Sequence, residues 1–310
     1  MDIVDTHLHL WDIGRFRYPW LDDPGTEGLR WNYLAEDWAR DAAGAGIGAT
    51  VHVQAELDHA LDPVLETAWL AELAASSRPS TPTVCVGYAD LRAPDLGEVL
   101  DRHSEFPLFR GIRQEAWFDP ASRRADVPRS NLLDDPVWIG GLDELARREL
   151  TFDLLVWSTQ LEQAAGIFAR KPGLQVVLEH VGVPVDRSAP GLEIWRRGLR
   201  AFAAAVPASV LKISALSFVS PSWSPAEVGP IVREAVEIFG PERCVLGSNF
   251  PVDRPAIGYR ELWAAYAEFT ADLTDTERTA LFAGTARRIY RIEPEPAGPA
   301  VEENGREGTS

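Results

Sequence analysis

The chain has 310 residues, of which 45% are hydrophobic and 25% are charged, an ordinary globular composition that can supply a large core. Its net charge of −17 argues against nucleic acid or an anionic membrane as a partner, because both require a basic surface. The sequence has no secretory leader and no apolar run of about 18 residues, so we expect a cytoplasmic protein without a membrane span. Cys85 and Cys244 lie in apolar runs and are predicted to be buried, reduced thiols.

The first predicted strand carries two histidines. Residues 3–10 alternate, which predicts a strand with Asp5, His7 and His9 on one face and leucines on the other. Burying two imidazoles and a carboxylate is costly unless these groups have partners or bind something. Histidines two residues apart in a strand point the same way and can share a metal ion or one substrate oxygen. A solvent-exposed pair on an edge strand is the alternative.

Strand-like and helix-like segments alternate along the rest of the chain. A long loop at 11–33 follows the first strand, and a loop of this length inside a compact domain indicates a functional role. Further strands are predicted at 49–55, 83–89, 109–116, 151–157, 174–180, 209–215 and 243–249. Helices are predicted at about 34–45, 61–76, 94–104, 136–149, 159–170, 191–206, 225–239, 256–271 and 274–289, the last with a capping box at Thr274 and Glu277.

Eight strand–helix units at this spacing predict an α/β fold in which crossover helices join parallel strands. We expect a single (β/α)8 TIM barrel with an extra C-terminal helix. An open doubly wound sheet is the rival, but no glycine-rich turn follows the first strand. Residues 1–292 are predicted to form the barrel, and residues 293–310, rich in proline, glycine and glutamate, a disordered tail.

In such a barrel the reactive groups lie at the carboxyl ends of the strands. Polar side chains collect at these ends in this sequence: His7, His9, His52, Gln54, Glu56, Arg113, Glu115, Glu179, His180, Lys212, Ser214, Ser248 and Asn249, followed by Asp253. Trp117 and Trp157 also fall near strand ends, where aromatic rings can line a pocket. Glu179 is expected to point toward the helix layer, because its neighbour His180 should point inward.

Five motifs carry a resemblance to a known family. They are Asp-Thr-His-Leu-His-Leu-Trp-Asp at 5–12, Glu-His-Val-Gly-Val-Pro at 179–184, Leu-Lys-Ile-Ser at 211–214, Gly-Ser-Asn-Phe-Pro-Val-Asp at 247–253 and Gly-Thr-Ala-Arg-Arg-Ile-Tyr at 284–290. Together, over roughly residues 2–291, they resemble the amidohydrolase superfamily. The closer resemblance is to the branch of sugar-lactone hydrolases, of fuconolactonase and rhamnonolactonase type, and pyrone-dicarboxylate lactonase. The family fold is a (β/α)8 barrel, in agreement with the strand count.

The resemblance implies roles for individual residues. His7, His9 and His180 are the expected catalytic histidines and metal ligands, and Arg113 is the expected binder of a substrate carboxylate or carbonyl group. A planar guanidinium suits that task through two parallel hydrogen bonds. Further substrate-binding residues are predicted at Gln54, Trp117, Trp157 and Lys212.

The eighth strand departs from the family pattern. The family normally has an aspartate there as the general base that activates water, and this chain has Asn249. An amide cannot accept a proton at neutral pH, although it can orient water or bind a metal weakly. We therefore count both Asn249 and Asp253 as catalytic residues and leave the base open among Asp253, Glu56, Glu115 and a metal that acidifies water directly.

The fifth strand limits the number of metal ions. It ends in Val156 and Trp157, without the histidine that binuclear members of the superfamily use. We expect at most one divalent ion, zinc, on His7, His9 and His180, with a position left for water. A metal-free protein is the open alternative.

These observations predict a hydrolase that cleaves a lactone or a related cyclic ester of low molecular weight by water attack at the barrel mouth. A zinc-dependent decarboxylase of the same fold is one alternative, and a catalytically impaired barrel that binds a ligand is another. The sequence leaves the substrate's identity open, and also whether the protein forms a homo-oligomer.

Overall fold

The computed structural model describes residues 2–77, 80–122, 124–184 and 186–293. Eight parallel strands form one sheet in sequential order. They are β1 (Ile3–Leu8), β2 (Ile47–Val53), β3 (Val84–Gly87), β4 (Phe109–Arg113), β5 (Thr151–Leu154), β6 (Gln175–Leu178), β7 (Val210–Ile213) and β8 (Cys244–Leu246). The predicted (β/α)8 barrel is confirmed, and the predicted tail lies, from residue 294 onward, outside the described residues.

Helices follow the strands as predicted. They are α1 (Ala35–Asp41), α2 (Val64–Ser76), α3 (Leu96–Ser104), α4 (Pro136–Arg147), α5 (Leu161–Phe168), α6 (Ala189–Ala205), α7 (Pro225–Phe239) and α8 (Tyr259–Phe269). The predicted last helix consists of α9 (Asp275–Thr279), a π-helical turn (Ala280–Gly284) and α10 (Thr285–Ile289). Thr274 and Glu277 form the predicted capping box at its start. No helix in the described ranges is long and apolar enough to cross a membrane.

The barrel closes through the backbone of β1 and of the segment after β8. The Asn249 N–H donates to the His7 carbonyl at 2.7 Å, and the His9 N–H donates to the Phe250 carbonyl at 2.8 Å. We call this pair of hydrogen bonds the seam. It joins the two histidines of the first strand to the asparagine that follows the last.

Apolar side chains fill the lower half of the barrel interior. Valines from six strands pack together there with Ile289 and Tyr290 at the end of the C-terminal helical segment. That segment therefore covers the amino-terminal end of the barrel and leaves the carboxyl-terminal end for a site. Cys85 and Cys244 are buried free thiols, as predicted.

The strands end two or three residues earlier than predicted, because the backbone leaves the extended conformation there. φ is positive at Glu56 (55°), His180 (55°), Ala215 (52°) and Asn249 (56°), each of which lies two or three residues after a strand. Such backbone costs on the order of 1–3 kcal/mol per non-glycine residue and clusters at functional sites. Four of the eight strand ends are thus shaped to present side chains at the mouth.

The predicted alternation along β1 holds only in part. Val4 packs in the barrel interior, whereas Asp5 accepts hydrogen bonds from Ser248 N–H (2.8 Å) and from the Tyr259 hydroxyl of α8 (2.7 Å). The pairing of β1 with β2 is irregular between residues 5 and 8. Asp5 therefore does not join His7 in the mouth, and a local irregularity overrides the period of two.

Candidate active site

His7 and His9 face each other at the mouth, with their Nε2 atoms 3.0 Å apart. His7 Nδ1 lies 3.0 Å from Glu179 Oε1, and His9 Nδ1 lies 2.8 Å from the Val53 carbonyl oxygen. The Val53 carbonyl can only accept, so it holds the His9 proton on Nδ1. His7 can donate from Nε2 to His9 Nε2, or it can carry its proton on Nδ1 beside Glu179. Burial lowers the pKa of both histidines well below the ordinary value, which keeps the rings neutral.

Glu179 lies inside the barrel, at the centre of a buried ionic cluster. Besides His7, its carboxylate faces Arg113 Nη1 at 3.4 Å and Lys212 Nζ at 3.5 Å. The expectation that Glu179 points to the helix layer is therefore wrong. The left-handed backbone at His180 breaks the strand alternation, so both neighbours face inward.

The surroundings of Glu179 decide its charge. Burial alone would raise the pKa of this carboxyl, but attraction to His7, Arg113 and Lys212 outweighs burial and holds the pKa well below the ordinary value. The group is therefore an ionised carboxylate beneath the histidine pair.

His180 occupies the mouth next to His7, with ring centroids 4.7 Å apart. Its Nδ1 lies 2.9 Å from the Ser214 hydroxyl, and its Nε2 lies 3.8 Å from Glu179 Oε2. Burial lowers the pKa of His180 to about 4, so this imidazole is also neutral near pH 7. Because a serine hydroxyl can donate or accept, the ring can carry its proton on either nitrogen.

The donor set fits one divalent cation. Ligand atoms of His7, Glu179 and His180 all lie within 4.8 Å of one another, and His9 Nε2 borders them. Neutral imidazoles and an ionised carboxylate are ligands that zinc takes. When His7 carries its proton on Nδ1, the Nε2 lone pairs of His7 and His9 face each other, and a cation can share them. The structure thus brings together the three predicted histidines and adds Glu179.

Asn249 lines the mouth and is held from behind by Asp253. The Asn249 amide donates to Asp253 Oδ1 at 2.8 Å, and the Ser217 hydroxyl donates to the same oxygen at 2.7 Å. Burial raises the pKa of Asp253 to about 6. Since Asp253 is 1% exposed and does not line the cavity, its placement favours orienting Asn249 over direct contact with substrate.

Arg113 borders the mouth, but its terminal nitrogens already face protein groups. Nη2 donates to the Gln54 carbonyl at 2.6 Å, and Nη1 lies 3.4 Å from Glu179 and 3.7 Å from Glu115. Gln54 itself is buried, and its side chain bonds to Glu56. Because Nη1 and Nη2 of Arg113 both face protein groups, the guanidinium does not present the open pair of terminal donors that binds a substrate carboxylate.

The mouth cavity has a volume of about 70 Å³ and opens to solvent. Its wall includes the predicted residues His9, Arg113, Trp117, His180 and Asn249, together with Trp20, Ala55, Glu56, Glu115, Arg124, Asp126, Leu155, Phe218 and Val252. The other predicted residues, His7, Gln54, Trp157, Lys212 and Asp253, lie behind this wall. Trp157 supports the wall by packing on Trp117, with ring centroids 4.6 Å apart.

Lys212 lies beneath the mouth, without solvent exposure. It forms an ion pair with Asp153, whose carboxylate also accepts a hydrogen bond from the Tyr290 hydroxyl at 2.9 Å. The lysine therefore connects Glu179 to the C-terminal helical segment. This placement suits holding Glu179 in position and does not offer Lys212 to a substrate.

Seven residues of the wall escaped prediction, and the four with polar or aromatic side chains are Trp20, Arg124, Asp126 and Phe218. Trp20 belongs to the long loop at 11–33, whose length was a usable signal. Arg124 and Asp126 belong to the 22-residue connection between β4 and α4, which offered the same signal. Nothing in the sequence distinguishes Phe218 from a core aromatic residue.

The amidohydrolase family model matches residues 4–292. The chain belongs to the amidohydrolase family. This membership confirms the predicted resemblance, and the chain is a hydrolase of the amidohydrolase fold.

Individual amidohydrolases are similar over nearly the whole chain. An uncharacterised protein of Sinorhizobium fredii is 35% identical over 94% of this chain and 98% of its own length. L-fucono-1,5-lactonase of Burkholderia multivorans is 32% identical over 95% of this chain and 97% of its own. A crystal structure of an amidohydrolase from Burkholderia multivorans with bound zinc is 29% identical, with a TM-score of 0.78 over 94% of this chain and 100% of that one. A zinc ion in that relative agrees with the donor set found here.

Proposed function

We propose that this amidohydrolase opens a lactone or a related cyclic ester by attack of water at the barrel mouth. The observation that carries the proposal is the clustering of the His7, His9 and His180 rings at the mouth, beside an ionised Glu179. The similarity to an L-fucono-1,5-lactonase supports a cyclic ester as the substrate class.

His7, His9 and Glu179 would hold the divalent ion, with His180 beside them. When bound, such an ion polarises a carbonyl group and lowers the pKa of water to about 7. The protein's own contribution is to hold these donors in place: Glu179 and the Val53 carbonyl keep the proton on Nδ1 of His7 and His9.

His180 is the proposed donor to the tetrahedral oxyanion. With the Ser214 hydroxyl donating to Nδ1, the ring carries its proton on Nε2 at the cavity wall. A positioned neutral donor of this kind stabilises the charge that develops as water adds to the carbonyl carbon. Metal ligation would need the other tautomer, so the two roles predicted for His180 exclude each other in one step.

Asn249 is the proposed anchor for the attacking water. Because Asp253 accepts a hydrogen bond from its amide nitrogen, the amide oxygen is left to accept one from water. An amide can orient this water but cannot take its proton. This limit is the observation that favours the catalytically impaired barrel as a second candidate.

The proposal is tested by screening γ- and δ-lactones with a pH indicator, using zinc-loaded and chelator-treated protein. We expect ring opening by the zinc-loaded protein and its loss in His180→Ala. No hydrolysis of any lactone would contradict the proposal. Activity that appears only in Asn249→Asp would establish the impaired barrel, and carbon dioxide release from aromatic or muconate-like acids would establish a decarboxylase.

A further inference from the structure

Glu115 is a buried carboxyl group that the proposed reaction leaves without a role. It is 8% exposed, and it lines both the mouth cavity and an adjoining cleft bordered by Glu56, Tyr88 and Arg129. Its Oε2 has no hydrogen-bond partner among the described residues. Its Oε1 lies 3.7 Å from Arg113 Nη1, too far for a hydrogen bond. An unsatisfied buried polar atom at a cavity wall indicates a group that awaits a ligand.

The charges that face Glu115 favour its protonated form. Burial raises the pKa of this carboxyl, the nearby acids Glu56, Asp126 and Glu179 raise it further, and Arg113 alone opposes them. The result is a pKa well above the ordinary value. The raised pKa favours the protonated form of Glu115, which carries one O–H donor.

The neighbouring Glu56 behaves differently. It lies 3.1 Å from His59 and accepts a hydrogen bond from the Gln54 amide, and attraction to His59 and Arg113 helps to lower its pKa despite burial. Its oxygens are thus already occupied by protein groups. Of these two glutamates, Glu115 is the one with an oxygen left for a ligand.

Carboxylates balance the charges of the mouth arginines, although Arg113 Nε has no hydrogen-bond partner among the described residues. Arg124 pairs with Asp126, and Arg113 faces Glu179 and the Gln54 carbonyl. Within the described wall, both arginines are therefore already neutralised by protein groups. An uncharged substituent that can accept a hydrogen bond from an acid matches this wall better than a carboxylate does.

We propose that Glu115 determines specificity by hydrogen bonding to a hydroxyl group of the substrate lactone. The inference rests on the proposed function and adds to it a contact away from the bond that is broken. Rotation about the last side-chain bond exchanges the two carboxyl oxygens, so the free one can turn toward the cavity. Glu115 acts in recognition and is not the general base.

The test compares Glu115→Gln and Glu115→Ala on pairs of lactones that differ in one hydroxyl group. Gln keeps a donor of the same shape, so we expect kcat/KM to stay within about fivefold of the original protein. Ala removes the donor and should lower kcat/KM by about tenfold to hundredfold, as expected for one lost contact to a buried group. The deoxy lactone should be hydrolysed equally by the original protein and Glu115→Ala. Glu227→Gln, on the exposed face of α7, is the matched control.

Three results would overturn the inference. Glu115→Gln as inactive as Glu115→Ala would show a proton-transfer role, and unchanged kcat/KM in Glu115→Ala would show no contact. Equal losses on the hydroxylated and deoxy lactones would show a structural role, which thermal denaturation of each variant would reveal. If neither the original protein nor any variant hydrolyses a lactone, the proposed function fails. Calorimetry can then test the role of Glu115 separately, by measuring how tightly the original protein binds a hydroxylated lactam and its deoxy form. Equal affinities for the two lactams would refute the proposed contact.

Discussion

The Nε2 atoms of His7 and His9 lie 3.0 Å apart, and the Nδ1 atom of each ring lies within 3.0 Å of an oxygen. Without a cation, His7 can donate a hydrogen bond from Nε2 to His9 only if its Nδ1 lone pair faces the Glu179 carboxylate, which is a repulsive contact. A divalent cation removes this repulsion, and the free energy gained is available to the folded protein alone.

Zinc should therefore stabilise the chain in a histidine-dependent way. For the original protein, a zinc concentration about a hundredfold above Kd should raise the free energy of unfolding by about 2.7 kcal/mol. His9→Ala should lose most of this gain, because it removes one of the two facing donors. Thermal denaturation with and without zinc, together with metal analysis, checks this. His59→Ala is the control, since His59 is half exposed and lies outside the histidine pair. An equal gain in His9→Ala would contradict the prediction.

His180→Ala should lower kcat by about 10²–10³-fold, the range for loss of one oxyanion donor. His7, His9 and Glu179 remain, so we expect one zinc per chain to be retained. Steady-state kinetics and metal analysis measure the two effects separately. Near-full activity would rule out the donor role, whereas loss of zinc together with activity would identify His180 as a ligand.

Lys212→Met should destabilise the fold by about 3–5 kcal/mol, because it leaves buried carboxylates without their cation. Adding Asp153→Asn should restore part of the loss, since it removes one of the two carboxylates that face the lysine. Urea denaturation of the single and double variants measures both effects. Lys171→Met breaks the ion pair with Asp143, whose side chain is 58% exposed, and should cost less than about 1 kcal/mol. Equal costs for the two lysines would be inconsistent with a buried ionic cluster.

Asp253 should give activity a pH dependence with an inflection near its pKa of about 6. Above this pH the carboxylate accepts from the Asn249 amide and fixes its orientation, so kcat/KM should rise with pH. The contribution of Asp253 to stability depends on pH in the opposite direction. Its pKa in the folded state exceeds the ordinary 3.8, so the folded state binds the proton more tightly than the unfolded state does. The stabilisation from this group is complete below about pH 3.8 and is lost as pH rises through about 6. Asp253→Asn should abolish the inflection, and an unchanged profile would contradict this role.

The order of strands and helices could be predicted because each element repeats a simple hydrophobic period. The same reasoning placed His7, His9, His180 and Asn249 at strand ends, where the structure has them. It failed for Glu179, since a left-handed residue such as His180 reverses the expected direction and leaves no mark in a single sequence. It also failed for Asp5, because the strand pairing is irregular after it.

Roles that depend on partners could not be predicted at all. Lys212 and Arg113 read as free cations in the sequence, yet Asp153 and Glu179 occupy them in the structure. These pairs join residues 59 and 66 positions apart, a relationship that barrel closure alone creates. The unpartnered oxygen of Glu115 could not be predicted either, because the sequence does not show which groups lie within hydrogen-bond distance of it.

The seam has a consequence for synthesis of the protein. A nascent chain that ends before residue 249 already contains both histidines of the first strand. It lacks the donor for the His7 carbonyl and the acceptor for the His9 N–H, which come from Asn249 and Phe250. Half-barrel fragments and ribosome-stalled intermediates should therefore be inert, and catalytic competence should arise only when the final βα unit has left the ribosome.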